Sequence, residues 1–264
     1  MHHSILKDTC LSYFGRIVLE RVDRDGAMRQ DWVSVLQGET GNFMNNNGRL
    51  ALRQRLSGAN SAAEGRRDRR LRWMVETFPS FGEMSVLDLG GRVGAWVRAP
   101  VRPARVRVVN LEEPPKETPE WAEFTQGDAC DLPDHILKQH YDLVFSNSVI
   151  EHVGGHDRRV RFADAVHELG DAHWVQTPYR YFPVEPHWLM PAMQFMPVAV
   201  RARVVRRSPF AYKRADTHRE AVRRVLQIEL IDRTQMHYYF PDSVLRTEWY
   251  YGIPKSLIAY RGGS

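Results

Sequence analysis

The spacing of apolar positions changes several times along the chain, and each change predicts a different element. From residue 1 to about 60, Leu11, Phe14 and Val18 recur at helical spacing and Gly26 breaks the run, which predicts a helical appendage. Asn45-Asn46-Asn47-Gly48 reads as a turn or exposed loop, because Asn and Gly tolerate left-handed backbone geometry. From Ala62 to Phe78 an amphipathic helix is expected, with Leu71, Met74, Val75 and Phe78 on one face, arginines around them and Pro79 as its stop. The domain proper is expected over 61–264. There, strand-like runs at Ser85–Leu89, Val106–Leu111, Tyr141–Ser146 and His173–Gln176 are separated by helix- or loop-length segments, which predicts a parallel sheet with crossovers. The clearest crossover helix is Arg158 to Leu169, with Phe162, Val166 and Leu169 inward and Gly170 ending it. Val244–Trp249 and Leu257–Tyr260 bracket Gly252-Ile253-Pro254 and predict an antiparallel hairpin. Between about 179 and 224 the rhythm lapses into Pro183, Pro186, Pro191 and Pro197 followed by a basic stretch, which reads as a lid or substrate-binding insertion.

Composition changes this picture little. With 43% hydrophobic and 26% charged residues among 264, the chain is of ordinary folded type. Cys10 and Cys130 form no Cys-x-x-Cys pair, which argues against a disulfide framework or a thiolate zinc site and fits a reducing cytoplasm. No apolar run follows the start, so no secretory signal is expected. Trp188 to Val200 is too short and too interrupted for a membrane span. The net charge of +5 favours anionic partners, whether nucleic acid, phospholipid, nucleotide-linked sugars or phosphorylated glycans, without choosing among them.

The chemistry concentrates after the first strand. Val86-Leu87-Asp88-Leu89-Gly90-Gly91-Arg92-Val93-Gly94 is a buried strand turning sharply at glycines, where backbone can approach a ligand and helix-start amides can face an anion. Arg92 excludes the Gly-x-Gly-x-x-Gly dinucleotide fingerprint. Asp-x-Gly-x-x-x-Gly, from Asp88 to Gly94, resembles the first motif of the class I S-adenosylmethionine-dependent methyltransferases. The segment Tyr141-Asp142-Leu143-Val144-Phe145-Ser146-Asn147-Ser148-Val149-Ile150-Glu151-His152 is similar to the strand and Glu-His signature of the branch, methyltransferase type 11-like, that methylates small molecules, lipids and sugars.

The resemblance covers about Val86 to Pro178. It implies a Rossmann-like α/β fold: a mostly parallel seven-stranded sheet with helices on both faces and a C-terminal antiparallel hairpin, to which the N-terminal appendage and the lid after strand five, the His173–Gln176 run in the family's count, are added. It also implies S-adenosylmethionine as cofactor, held by Asp88, Gly90, Gly91, Gly94, Glu112, Asp128, Ala129 and Asn147. Glu112, at the end of the second strand, is expected at the ribose hydroxyls, with Asn110 as the competing position. Asp128 equally fits a turn-capping role.

Beyond strand five runs Tyr179-Arg180-Tyr181-Phe182-Pro183-Val184-Glu185-Pro186-His187-Trp188. Residues two apart on an extended chain point the same way, so Glu185 and His187 are expected to converge. A histidine beside a carboxylate can take a hydroxyl proton near pH 7. His187, Glu185 and His152 are therefore the catalytic candidates. Glu151, His152, Glu185 and His187 are also candidate ligands for a divalent metal such as Mg. The Phe-Pro-x-Glu-x-His run and the closing Gly252-Ile253-Pro254 segment resemble bacterial glycan and glycolipid methyltransferases, in particular the actinobacterial methylmannose polysaccharide O-methyltransferases. That implies a sugar, polysaccharide or glycolipid acceptor and a place in polysaccharide biosynthesis.

Two other functions compete. Arg201, Arg203, Arg206, Arg207, Lys213, Arg214, Arg219, Arg223 and Arg224 suggest nucleic-acid methylation. Against it, Ser146-Asn147-Ser148-Val149 lacks the Asn-Pro-Pro-aromatic run of base-amine enzymes, and no cysteine stands at the Tyr141–Ser146 or His173–Gln176 strand. Trp188, Leu189, Met190, Phe195 and Met196 beside basic residues suggest peripheral contact with an anionic membrane. Self-association stays open.

Overall fold

Alternation of side chains across one sheet explains how the domain is layered. The computed structural model describes residues 21–22, 28–29, 69–99, 101–207 and 215–262. The chain divides into two units, Met1–Gly65 and Arg66–Ser264. In the first, β1 (Arg21–Val22) and β2 (Met28–Arg29) pair antiparallel on either side of the segment holding Gly26. Leu11, Phe14, Val18 and the Asn-rich loop lie outside the described residues.

In the second unit, helix α1 covers 69–77, and its expected start at Ala62 lies outside the described residues. Then follow β3 (Ser85–Leu89), α2 (Val93–Val97), β4 (Arg105–Asn110), β5 (Ala122–Gln126), α3 (Asp134–Leu137), β6 (Tyr141–Asn147), α4 (His156–Leu169) and β7 (Gly170–Pro178). The hairpin β10 (Val244–Tyr250) and β11 (Ile253–Arg261) closes the fold. One sheet holds seven of these strands in the order β5-β4-β3-β6-β7-β11-β10. β5, β4, β3, β6 and β7 run parallel, and β11 is reversed between β7 and β10. This is the Rossmann-like sheet with a C-terminal antiparallel hairpin that the sequence led one to expect.

Leu87, Leu89, Val109, Val144 and Val175 pack on one face against Phe162, Val166 and Leu169 of α4. Val86, Val106, Val108, Leu143 and Trp174 pack on the other against Met74, Phe78 and Trp96. Neighbours such as Val86 and Leu87 thus enter opposite layers, as a pleated strand requires. Gly170 ends α4 and opens β7 at once, and a Cβ there would come within 2.7 Å of Val144 Cγ2, so the tight join needs glycine.

Two elements differ from expectation. β5 carries Glu123, Thr125 and Gln126 and buries only Ala122 fully; an edge strand packed on one side shows no apolar period to read. The hairpin turns at Tyr251-Gly252, both with positive φ (47° and 76°), one step earlier than Gly252-Ile253-Pro254.

The insertion starts where Tyr179 bridges Ile231 and Arg180 N donates to Ile231 O at 3.0 Å, so its two ends meet. Between them lie the small hairpin β8 (Val184–Glu185) and β9 (Met190–Pro191) and the helices α5 (Val198–Arg207) and α6 (His218–Leu226). Trp188, Met193, Ala202, Val205, Ala221 and Val225 give it a core of its own. Trp188 is therefore interior and unavailable to a membrane face, while Leu189 and Phe195 are exposed. α7 (Arg233–Tyr239) then opens with a capping box between Asp232 and Gln235. Among the described residues, no helix is long and apolar enough to cross a membrane.

Candidate active site

Five parallel strands end on one edge of the sheet, and the strand order reverses between β3 and β6. Crevices at such a reversal are where α/β sheets bind ligands. Gly90 follows β3 with φ of 82°, and a Cβ on it would fall 2.5 Å from Cγ2 of Val149, which follows β6. At Gly91 an added Cβ would lie 1.7 Å from Asp88 Oδ2. Both glycines are thus required by the protein itself. At Gly94 the nearest atom, Arg98 Nη1, is 3.4 Å away, so packing alone does not demand glycine there.

Asp88 lies beneath this loop, 2% exposed, with Oδ2 accepting from Trp96 Nε1 at 2.7 Å and Oδ1 buried without a partner. Burial pushes its pKa up to about 7, against the bonds from Trp96 and the Gly91 amide. Asn110, ending β4, donates from Nδ2 to the carbonyls of Gly90 (3.0 Å) and Gly91 (2.7 Å). Its Oδ1 receives Glu112 N at 3.1 Å. Asn110 is thus the brace of the glycine turn, and Glu112 stands outside it, half-buried and paired with Arg92. Asp128 accepts from Arg158 Nη2 at 2.8 and 2.6 Å and from Cys130 N at 2.9 Å. Partial burial raises its pKa, but the Arg158 bond and the Cys130 amide outweigh that and hold it below the ordinary value. It therefore does cap its turn. Ala129 is buried beside it, and Asn147 ends β6 half-buried.

The other half of the edge is built from β6, β7 and the insertion. Ser148 takes φ of 60°, held by its N–H to Gln176 O (2.9 Å) and its hydroxyl to Gln176 Oε1 (3.0 Å). That uncommon turn leads directly to Glu151 and His152. Glu151 is 1% exposed; its Oε2 accepts from Thr177 Oγ1 at 3.0 Å, and its Oε1 is buried without a partner. His187 Nδ1 donates to Glu185 Oε1 at 2.6 Å, and the amide of Trp188 donates to Glu185 Oε2 at 2.7 Å. His187 and Glu185 do meet, but not along an extended chain. Glu185 is in β8, opposite Met190, and His187 sits in the turn that follows.

With both oxygens of the fully buried Glu185 engaged, it is not placed as a metal ligand; its position suits holding the imidazole. Nε2 of His187 lies 3.1 Å from Nε2 of His152. Burial works to lower the pKa of His187, but the bond and charge of Glu185 reverse this and raise it above the usual histidine value. His152 opens to solvent on one side, yet desolvation by its surroundings still lowers its pKa against the charge of Glu151.

Four contributors escaped the sequence reading: Trp96 on Asp88, Arg158 on Asp128, Thr177 on Glu151 and the Trp188 amide on Glu185. None belongs to a local pattern, since each reaches its partner through the fold or through a backbone atom. The basic residues of the insertion divide: Arg201 donates to the carbonyls of Val225 and Ile228, whereas Arg203, Arg206 and Arg207 are exposed. Lys213 and Arg214 lie outside the described residues.

No protein-family model and no curated protein matches the chain by sequence. Among solved structures it is similar to the N-methyltransferase NodS of Bradyrhizobium japonicum WM9 in complex with S-adenosyl-L-homocysteine, at 11% identity over 74% of this chain and 85% of that one, TM-score 0.44. It is similar also to an O-methyltransferase family protein of Burkholderia thailandensis, at 16% identity over 83% and 63%, TM-score 0.44. A third is the N-terminal domain of EvdMO1, in the presence of S-adenosyl-homocysteine and D-fucose, at 15% identity over 75% and 82%, TM-score 0.44. Likeness at this level concerns the course of the chain and not its chemistry.

Proposed function

We propose that the protein is an S-adenosylmethionine-dependent O-methyltransferase acting on a hydroxyl of a small molecule, with a sugar, polysaccharide or glycolipid as the acceptor class. One observation carries this: a glycine cradle over a buried carboxylate and a carboxylate-held imidazole share one edge of a sheet at its reversal point. The cradle fits the cofactor's amino-acid end, because Gly90 and Gly91 present backbone and Asp88 keeps an unpartnered buried oxygen beneath them. Glu112, beyond the end of β4, is the carboxylate for the ribose hydroxyls, and Asp128, Ala129 and Asn147 line the adenosine side. The bound cofactor supplies an electrophilic methyl group on a sulfonium.

The chain's own part is to hold and deprotonate the acceptor. Glu185 fixes Nδ1 of His187 as the protonated nitrogen, which leaves the Nε2 lone pair to take the hydroxyl proton. The carboxylate then stabilises the imidazolium. His152, 3.1 Å away, is the second acceptor of that proton. Exposed Arg203, Arg206 and Arg207 suit an acceptor carrying negative charge.

Calorimetry with S-adenosyl-homocysteine, followed by tritiated methyl transfer to a panel of glycans, glycolipids and small alcohols, tests the reading. Saturable cofactor binding and label on oxygen are expected. No binding, or label on nitrogen, would overturn it.

A further inference from the structure

We propose that Glu151, His152 and His187 form a binding site for a borderline divalent cation of the manganese, cobalt or zinc type. One ligand atom from each residue comes together within 4.8 Å, although the residues derive from the end of β6 and from the insertion. The two imidazole Nε2 atoms are 3.1 Å apart. Two adjacent ligands, each about 2.1 Å from one metal at a right angle, stand about 3.0 Å apart, so the histidines already have ligand spacing. The third residue offers an unused donor: Glu151 Oε1 is buried, and nothing in the described protein bonds it. Leaving a buried carboxylate oxygen unsatisfied is costly, and a cation between these three groups would remove the cost.

The surrounding bonds are those of a prepared metal site. Glu185 accepts from Nδ1 of His187 and thereby fixes the tautomer whose Nε2 lone pair can ligate. Carboxylate-to-histidine support of this sort orients metal ligands and strengthens them. Thr177 does the corresponding work on Glu151, tying Oε2 and leaving Oε1 without a bond. Two imidazoles with one carboxylate suit Mn, Fe, Co or Zn and are a poor set for Mg, which prefers oxygen donors. Three protein ligands leave open positions, as catalytic sites do.

Binding of the cation does not depend on the proposed methyl transfer; its use in catalysis does. A cation at this place would hold the acceptor hydroxyl and lower its pKa. His187 Nε2 would then serve as a ligand and the hydroxyl proton would pass to solvent, whereas in cation-free protein the same lone pair is the proton acceptor of the proposed function.

The test is titration of chelator-dialysed full-length protein with cobalt(II) chloride, followed by visible absorption and by paramagnetically shifted proton NMR. One saturable site is expected, with two shifted exchangeable imidazole N–H signals from the Nδ1 atoms of His152 and His187. Glu151→Gln should weaken the affinity at least about tenfold, and Glu185→Gln about 10- to 100-fold. Absence of saturable binding, or fewer than two imidazole signals in the wild-type protein, would overturn the proposal even if every variant failed to fold. So would unchanged affinity in a folded Glu151→Gln protein. Calorimetry with S-adenosyl-homocysteine on the same dialysed sample keeps the two readings apart: cofactor binding without cobalt binding sinks the cation site alone, and the reverse sinks the methyltransferase reading alone.

Discussion

The two halves of the sheet edge are made in opposite ways. On the side of β3 and β4 the site is backbone: Gly90 and Gly91, braced by Asn110, stand over Asp88 within a short stretch of chain. On the side of β6 and β7 it is side chains. Glu151, His152, Thr177, Glu185 and His187 come from three separate segments, and each is held by another. In the proposed function the first half recognises through shape and has no room for an added atom at Gly90 or Gly91, and the second acts through proton position. Substitutions should therefore fail differently in the two halves, and that contrast can be broken experimentally.

The largest expected effect lies on the side-chain half. His187→Ala should lower methyl transfer about 10²- to 10⁴-fold, the usual worth of a general base, with affinity for S-adenosyl-homocysteine unchanged. Parallel single-turnover and calorimetric measurements would show it; a fall in cofactor affinity of the same size would erase the division between the halves.

Gly91→Ala should do the reverse. Its Cβ, 1.7 Å from Asp88 Oδ2, must push the loop or the carboxylate aside. Overpacking of this kind costs about 1–3 kcal/mol. A lowered melting temperature and at least about tenfold weaker cofactor binding are expected, and normal values for both would show that the cradle yields.

The smallest effect separates site from scaffold. His173 in β7 is buried, and desolvation, with the nearby charges of His167 and Arg261, lowers its pKa from 6.5 to about 3. The unfolded chain takes up that proton first as pH falls. The stability due to neutral His173 is thus complete above about 6.5 and is lost as pH falls toward about 3. Denaturant unfolding should show His173→Gln flattening the pH dependence in this window by up to one proton. An unchanged slope would place the titrating group elsewhere.

What the sequence made legible follows the same division. The strands β3, β4, β6, β7 and β11 could be read because each carries a run of buried residues, helix α4 because Phe162, Val166 and Leu169 recur at helical spacing, and β10 because a glycine turn joins it to β11. β5 could not, since an edge strand with polar positions looks like loop. Glu185 and His187 could be paired from their separation of two residues, though the turn after β8, and not an extended strand, brings them into contact. Asp128 was visible as a candidate, yet its bond to Arg158, thirty residues away, gives it a structural duty that the local pattern does not contain.

By itself the sequence determined the layered α/β sheet, the glycine turn after β3 and the position of the Glu-His and Glu-Pro-His segments beyond β6 and β7, because burial periodicity and backbone sterics act over a few residues. The tertiary structure alone decided that Asn110 braces the turn while Glu112 stands outside it, that Trp188 lies inside the insertion, and that His152 and His187 meet at Nε2 beside an unpartnered oxygen of Glu151. Those relations depend on how separate strands end at one edge and on where a folded insertion returns to it, and no spacing along the chain encodes a distance across it.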